Sequence, residues 1–512
     1  MEPRSQIVFY LNGRRHEVGA DQARLTLSDY LRYEKGLIGT KVVCAEGDCG
    51  ACSVLGYSPL RRSQKPRGTA TATPQYFPFN SCITLVAQID GMSLVSVDAL
   101  AEKTALSPVQ NAMVKCHGSQ CGFCTPGFVV ALTGLVERKL CSRQGKPKQS
   151  SNLVAKIAPQ EAKNALTGNL CRCTGYQPII DAAVSIDLKE CDLVAKRFHS
   201  VAQEKDLRKI LSTPVAFESE AFSFFAPLSA REAARHARSR LRKKAKKQKP
   251  YRLAAAGTDL GVQRNKRKII LEDLISLHLV RELYEIKKKG ASRISVGARV
   301  SLSELRAYVK TAIPEFARFL DLFASPQIKN IATLVGNVAN ASPIADTPPF
   351  LMVTNAAIQL VGPAGAREVP IDEFFLAYRK TALKPDELIS SIDFEVPPPD
   401  QSLALYKVSQ RKDLDISAVN AAFRVRWDAQ TNVKEARIAM GGIAAIPLRL
   451  RKTEDALKNM QITPKTLALA ARTLQSEIAP ISDLRGSAEF RRVLAENLFL
   501  RFFDEHAKEA RR

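Results

Sequence analysis

At 512 residues, 45% of them hydrophobic and 25% charged, the chain is long enough to bury several cores and too apolar for a disordered one. Its 76 basic against 51 acidic side chains give a net charge of +25, which leaves nucleic acid, a membrane surface or an acidic protein open as partners. No stretch approaches the roughly eighteen consecutive apolar residues of a membrane-spanning helix. Much of the excess charge is local. Residues 238–249 read RSRLRKKAKKQK, without the interleaved aromatics that stack on bases, and the run reads as a solvated helix and loop. The start of the chain carries Arg4, Arg14 and Arg15 around one short apolar strand, unlike a signal peptide, so a cytoplasmic location is expected. In a reducing cytosol the eleven cysteines suit metal ligation better than disulfides.

Residues 5–18 alternate around Asn12-Gly13, a strong hairpin dipeptide, and predict two strands. A short helix is predicted over 25–33, with Thr26 or Ser28 near its start. Residues 44–52, CAEGDCGAC, form a loop of small residues in which Gly47 and Gly50 let backbone N–H groups approach a ligand. Strands at 53–57 and 94–97 complete a β-grasp domain over 1–97. From Ser107 the period becomes helical. Thr125-Pro126 offers a capping hydroxyl and a first-turn proline to a helix through 140, and further helices are predicted at 159–166 and 177–188. These make a helical domain of 98–190, interrupted, like its predecessor, by a polar insert; the inserts are 58–74 and 142–151. Residues 191–219 read as a linker with a short helix. Alternating strands and helices at 252–256, 269–271, 293–296 and 302–309 predict an α/β domain over 220–398. The last part, 402–512, opens on the strands LALYKVS, AAFRVRW and EARIAMGGI and ends in amphipathic helices, so the fold class is α+β and multidomain.

Eight of the eleven cysteines fall into two sets of four. Cys44, Cys49, Cys52 and Cys82 follow C-x4-C-x2-C…C, the plant-type ferredoxin spacing, and Cys121, Cys124, Cys171 and Cys173 follow C-x2-C…C-x-C. One C-x2-C pair alone is often structural zinc, but zinc sites usually pair two such knuckles, and C-x-C is an unusual half-site. Both sets therefore read as 2Fe–2S ligands, which makes the chain a wire for single electrons. Cys116, Cys141 and Cys191 are left over as ordinary thiols. Further on, 254–260 (AAAGTDL) and 333–348 (TLVGNVANASPIADTP) put small residues at turns where N–H groups can reach a diphosphate, although such turns are common in α/β proteins.

The flanking residues sharpen this reading. HGSQCGFCTPG at 117–127 and TGNLCRCTGY at 167–176 closely resemble the helical 2Fe–2S domain of the molybdenum hydroxylases, the xanthine dehydrogenase and aldehyde oxidase family. The resemblance extends over nearly the whole chain and implies a β-grasp 2Fe–2S domain, a helical 2Fe–2S domain, an FAD-binding domain over 220–398 and its C-terminal part over 402–512. Gln120 matches the family glutamine that faces a molybdopterin cofactor on a neighbouring domain. Leu253, Ala254, Ala255, Ala256, Gly257, Thr258, Asp259 and Leu260 match one flavin-binding segment. Thr333, Gly336, Asn337, Ser342 and Asp346 match the other. Phe323 and Thr333 fall at flavin-contact positions, Ile389 at an aliphatic one, Lys407 at the lysine beside the flavin, and Tyr378 at a tyrosine on the nicotinamide side. Ala256 and Val335 stand where the family commonly has glycine.

By this resemblance the chain is expected to be the iron–sulfur and flavin subunit of a two-chain bacterial oxidoreductase of the xanthine dehydrogenase type. Electrons from hydroxylation of a purine, xanthine or hypoxanthine, at molybdopterin on a separate large subunit would pass the Cys121 set, then the Cys44 set, then FAD, then NAD+. No acid or base for the hydroxylation is expected here. The expected assembly is two small with two large subunits, without nucleic acid or membrane. An enzyme of the same layout acting on aldehydes or N-heterocycles is the nearest alternative, because the substrate is chosen on the other chain. A zinc-stabilised, basic nucleic-acid-binding protein is the alternative from a different class.

Overall fold

The structure, a computed structural model, describes residues 2–61, 74–102, 105–143, 156–242, 250–412, 414–430 and 432–509. Most of both polar inserts and the 243–249 part of the basic run lie outside the described residues. The chain divides into two compact units. One comprises Met1–Ala233, Arg242–Tyr284 and Ser325–Ala332, and the other Ala234–Leu241, Glu285–Ala324 and Thr333–Arg512.

In the first unit, β1 (Ile7–Leu11) and β2 (Arg14–Val18) form the hairpin. Asn12 and Gly13 turn it with φ of 52° and 80°, the left-handed pair that matches strand twist. With β3 (Ser53–Tyr57), β4 (Phe77–Asn80) and β5 (Ser93–Val95) the sheet order is β2-β1-β5-β3-β4. β1 runs antiparallel to β2 and parallel to β5, and its IVFYL sequence is apolar on both faces because Ile7, Phe9 and Leu11 pack into one core and Val8 and Tyr10 into another. Thr26 caps the following short helix, Leu27–Asp29.

Helices Pro108–Lys115, Thr125–Arg143, Pro159–Leu166 and Gln177–Ser185 follow. Ser107 caps the first of them, its hydroxyl accepting the N–H of Gln110. Thr125 does not cap its helix: it lies inside the first turn and its hydroxyl donates to Ser119 Oγ at 2.7 Å. The Thr125–Arg143 helix buries Phe128, Val130, Leu132 and Leu135 and packs against β3 and β4.

Glu137 on this helix is 1% exposed and accepts the N–H groups of Tyr76 at 3.2 Å and Val194 at 3.0 Å. Burial pushes its carboxyl up to about 7 despite both donors. The folded chain thus holds a proton that the unfolded chain releases, so this group's contribution to stability falls as the pH rises from about 4.5 to about 7. Glu137→Gln is expected to flatten Tm against pH across that window while costing about 1–3 kcal/mol, because one N–H loses its acceptor. Thermal unfolding from pH 5 to pH 8 checks both.

Residues 191–219, expected as a linker with a short helix, contain helices Ala195–Phe198 and Val201–Ile210. Helix Val201–Ile210 carries Gln203, which donates to Ser93 Oγ at 2.8 Å, Glu204, which accepts from the Tyr57 hydroxyl at 3.0 Å, and Asp206, which accepts from Tyr10 at 2.9 Å. Its sequence looked like a linker because this helix attaches largely through polar side chains and buries few apolar ones beyond Leu207 and Ile210. β6 (Val215–Glu218), β7 (Ser223–Ala226), β8 (Arg252–Ala254) and β9 (Asp273–Ser276) then form a sheet of order β6-β7-β9-β8. The strand expected at 269–271 falls later, at β9: Ile270 is 67% exposed, and it is Asp273, Leu274 and Ile275 that pair with β7.

The second unit holds β10 (Ile286–Lys289), β11 (Arg293–Gly297), β12 (Ala357–Val361) and β13 (Ala366–Pro370), a small hairpin of β14 (Phe375–Ala377) and β15 (Lys380–Thr381), and β16 (Leu388–Glu395). Its first sheet has order β10-β11-β16-β12-β13 and is antiparallel throughout. A meander of β17 (Gln401–Val408), β18 (Val419–Trp427), β19 (Val433–Gly441) and β20 (Leu448–Arg449) makes the second. Helices Pro464–Glu477 and Ala488–Glu509 cover it, with Phe423 and Phe502 stacked at 4.7 Å between ring centroids.

Candidate functional site

Sheet register assembles the first cysteine set. Ser53 on β3 faces Asn80 on β4, so Cys52, one residue before, and Cys82, two residues after, arrive side by side. The thiol of Cys82 touches those of Cys52 and Cys44, and Cys44 also touches Cys49. Cys44 is half-buried and the other three are buried. N–H groups converge on the sulfurs: those of Glu46 and Cys49 reach Cys44 Sγ at 3.5 Å each, and the Asn80 amide reaches Cys52 Sγ at 3.7 Å. Contacts from Cys49 and Cys82 pull the Cys44 thiol well down, and the same contacts push Cys49 and Cys82 up. Cys44 and Cys52 thus favour negative charge on sulfur, while Cys49 and Cys82 favour the protonated form.

Gly50 in this loop has φ of 67°, and a Cβ there would lie 2.2 Å from the carbonyl oxygen of Gly168. Gly50→Ala therefore combines a left-handed backbone penalty of about 1–2 kcal/mol with a clash against backbone. The expected result is a lower Tm, read by thermal unfolding.

Helix ends assemble the second set. Cys121 and Cys124 immediately precede the Thr125–Arg143 helix, and Cys171 and Cys173 lie between helices Pro159–Leu166 and Gln177–Ser185. Cys124 touches Cys171 and Cys121 touches Cys173. The Thr174 hydroxyl lies 3.2 Å from Cys171 Sγ, and the Cys171 N–H donates to the Tyr176 hydroxyl at 3.0 Å. Burial pushes the Cys124 thiol up to about 12, while Thr174 and neighbouring N–H groups outweigh burial at Cys171 and hold its thiol low. Cys121 and Cys173 are exposed, as are Gln120, Phe123 at 48% and Leu170 at 43%.

The two sets meet through backbone. The N–H of Leu170, next to Cys171, donates to the carbonyl of Cys49 at 3.0 Å, and Asn169 Nδ2 to that of Gly50 at 3.4 Å. Gln327 completes the join by donating to Asn169 Oδ1 at 2.7 Å. Among the described residues no three His, Cys, Asp or Glu side chains are set to hold one metal ion.

The candidate flavin residues fall in both units. In the first, Leu253 and Ala254 end β8, Ala255, Ala256 and Gly257 make the turn, and Thr258, Asp259 and Leu260 open helix Thr258–Asn265. Gln88 holds the turn by donating to Ala256 O at 2.9 Å. In the second, Thr333 caps helix Leu334–Ala339 by accepting the N–H of Gly336 at 2.9 Å, and Asn337 Oδ1 accepts from the Thr347 hydroxyl at 2.6 Å. Ser342 is half-buried just beyond this helix. Asp346 binds Lys407 Nζ at 2.8 Å, the Ser417 hydroxyl at 2.6 Å and Asn420 Nδ2 at 3.2 Å, with the Asp346 and Lys407 side chains 8% and 4% exposed. Lys407 Nζ lies 6.0 Å from the Phe323 ring centroid. Ile389 is buried on β16, and Tyr378 stands 57% exposed in the turn between β14 and β15. Sequence reasoning missed Asn169, Gln327, Ser417 and Asn420, single amides and a hydroxyl with no spacing pattern; only the position of Asn169 in NLCRC hinted at a role.

Four family models match in succession: a 2Fe–2S iron–sulfur cluster binding domain at 9–87, a 2Fe–2S binding domain at 96–184, an FAD binding domain in molybdopterin dehydrogenase at 220–398, and a CO dehydrogenase flavoprotein C-terminal domain at 404–506. Together with the two sulfur quartets they define an iron–sulfur flavoprotein. Xanthine dehydrogenase 1 of Arabidopsis thaliana is 31% identical over 98% of this chain and 39% of its own length, and the xanthine dehydrogenase/oxidase of Gallus gallus 28% over 98% and 40%. Among solved structures, a carbon monoxide dehydrogenase chain from Hydrogenophaga pseudoflava is similar with TM-score 0.51 and 27% identity over 56% of this chain and 96% of that one. Quinoline 2-oxidoreductase from Pseudomonas putida 86 gives 0.51 and 26% over 58% and 100%. The chain belongs to the molybdenum hydroxylase family, and it spans 39–40% of the length of these curated relatives.

Proposed function

We propose that the chain is the electron-relay subunit of a xanthine dehydrogenase-type enzyme, with its molybdopterin on a partner chain. Cys44, Cys49, Cys52 and Cys82 hold one 2Fe–2S centre and Cys121, Cys124, Cys171 and Cys173 the other. The segments 253–260 and 333–346, with Phe323, Ile389 and Lys407, hold FAD. When bound, the iron–sulfur centres pass single electrons and the flavin collects two and delivers them as hydride. Gln120 faces the partner's molybdopterin, Tyr378 lines the approach of NAD+, and the assembly is two small with two large subunits in the cytoplasm.

The observation that carries this reading is the contrast between the two sets: the first is buried, while Cys121 and Cys173 stand at the surface beside exposed Gln120, Phe123 and Leu170. An electron-entry centre left open to water on one apolar side calls for a partner to cover it. The bond from Leu170 to Cys49 O gives electrons a short through-bond route inward. Among the described residues no helix is long and apolar enough to cross a membrane.

Co-expression with a molybdopterin-binding chain tests it. The expected product is a brown complex with about four irons and one flavin per small subunit, reducing NAD+ when given xanthine. Turnover of N-heterocycles or aldehydes without xanthine would move the assignment to another enzyme of the same layout, a reading favoured by the similarity to quinoline 2-oxidoreductase. A colourless zinc protein would overturn it.

A further inference from the structure

We propose that Asn265 is a positioning residue for the first iron–sulfur centre, and that it tunes the centre's potential through one peptide group. The inference rests on the assignment of Cys44, Cys49, Cys52 and Cys82 as ligands. Asn265 ends helix Thr258–Asn265, whose first turn carries the proposed flavin segment. Its Nδ2 donates at 2.9 Å to Ala45 O and at 2.8 Å to Cys82 O, so one amide ties together the two separate segments that supply ligands.

The Ala45 carbonyl and the Glu46 N–H are opposite ends of the same peptide. While Asn265 grips the oxygen, the N–H points to Cys44 Sγ at 3.5 Å. Ala45 takes φ of 54°, a left-handed conformation unfavourable for a residue with a Cβ, so that peptide needs an external hold. The helix supplies one closely: a Cβ on Gly261 would lie 2.0 Å from Ile83 O, and Lys266 Nζ binds Glu46 Oε2 at 2.8 Å.

Donation to a carbonyl polarises its peptide and strengthens the N–H at the other end. N–H bonds to ligand sulfur favour the reduced, more negative state of the centre and so raise its potential. Removing the Asn265 amide frees the Ala45–Glu46 peptide to turn and weakens that bond. The first centre then becomes a poorer electron acceptor, while the second, which Asn265 does not touch, is unaffected.

The test is a reductive titration of the assembled enzyme followed by electron paramagnetic resonance, comparing the parent with Asn265→Leu and Asn265→Ser. The second centre's signal is identified by its loss in a Cys171→Ala variant. The expected result is a more negative midpoint for the first centre in Asn265→Leu, a smaller shift in the same direction in Asn265→Ser, which keeps one donor, and an unmoved second centre. A first-centre midpoint equal to the parent's in fully loaded Asn265→Leu overturns the proposal. If leucine empties the site, an unshifted midpoint in Asn265→Ser overturns it instead. Absence of both signals in the parent removes the ligand assignment and this proposal together, a result distinct from an unshifted midpoint.

Discussion

Cys171→Ala is expected to remove half of the iron and one of the two paramagnetic signals that dithionite reduction develops, and to bring substrate-driven NAD+ reduction to background. Cys171 touches Cys124 and is the cysteine whose sulfur the Thr174 hydroxyl approaches most directly, at 3.2 Å. The second set opens to solvent at Cys121 and Cys173, so an iron short of one thiolate is readily lost to water. Two of the three leftover thiols have partners elsewhere: Cys116 donates to Ser185 Oγ at 3.7 Å and Cys191 to Asp187 O at 3.4 Å. The first set keeps its own shell of N–H donors and its signal should persist. Iron analysis and spectra of the variant check this, and retention of full iron with two signals would refute the ligand assignment.

The second large effect is expected at the buried pair in the other unit. Lys407→Met leaves the Asp346 carboxylate, almost out of water, with the Ser417 hydroxyl and the Asn420 amide as its side-chain partners among the described residues. Breaking a buried pair from one side typically costs about 3–5 kcal/mol, because the remaining charge is desolvated and uncompensated. Flavin content should fall in step, since Asp346 and Lys407 lie in the segments proposed to hold it. Lys407→Met with Asp346→Asn is expected to recover part of the loss, because neither charge is then stranded. Urea unfolding and the flavin absorbance of purified protein measure both outcomes. A single variant losing less than about 1 kcal/mol, the range of an exposed pair, would show that the pair is not isolated from water.

The parts of the fold that could be read from residues alone are those governed by local chemistry. Asn12-Gly13 specifies its hairpin because the turn demands left-handed residues, and Ser107, Thr26 and Pro159 mark helix starts because free N–H groups need acceptors or no donor at all. Thr125 misled because its hydroxyl found Ser119 before it could cap. The helix at 201–210 gave no sign of its attachment, because Gln203, Glu204 and Asp206 look solvated until Ser93, Tyr57 and Tyr10 meet them.

Spacing alone put Cys44, Cys49 and Cys52 together, and likewise Cys121 with Cys124 and Cys171 with Cys173, since thiols on one short loop are forced close together whatever the rest of the chain does. Only the tertiary structure decided how Cys82 reaches Cys52 through the β3–β4 register, why Leu170 bonds to Cys49 O, that one Asn265 amide holds two ligand segments, and that Lys407 meets Asp346 rather than water. Those contacts join residues dozens to hundreds of positions apart through single hydrogen bonds. A lone amide or carboxylate carries no periodicity, so nothing short of the packed fold identifies its partner.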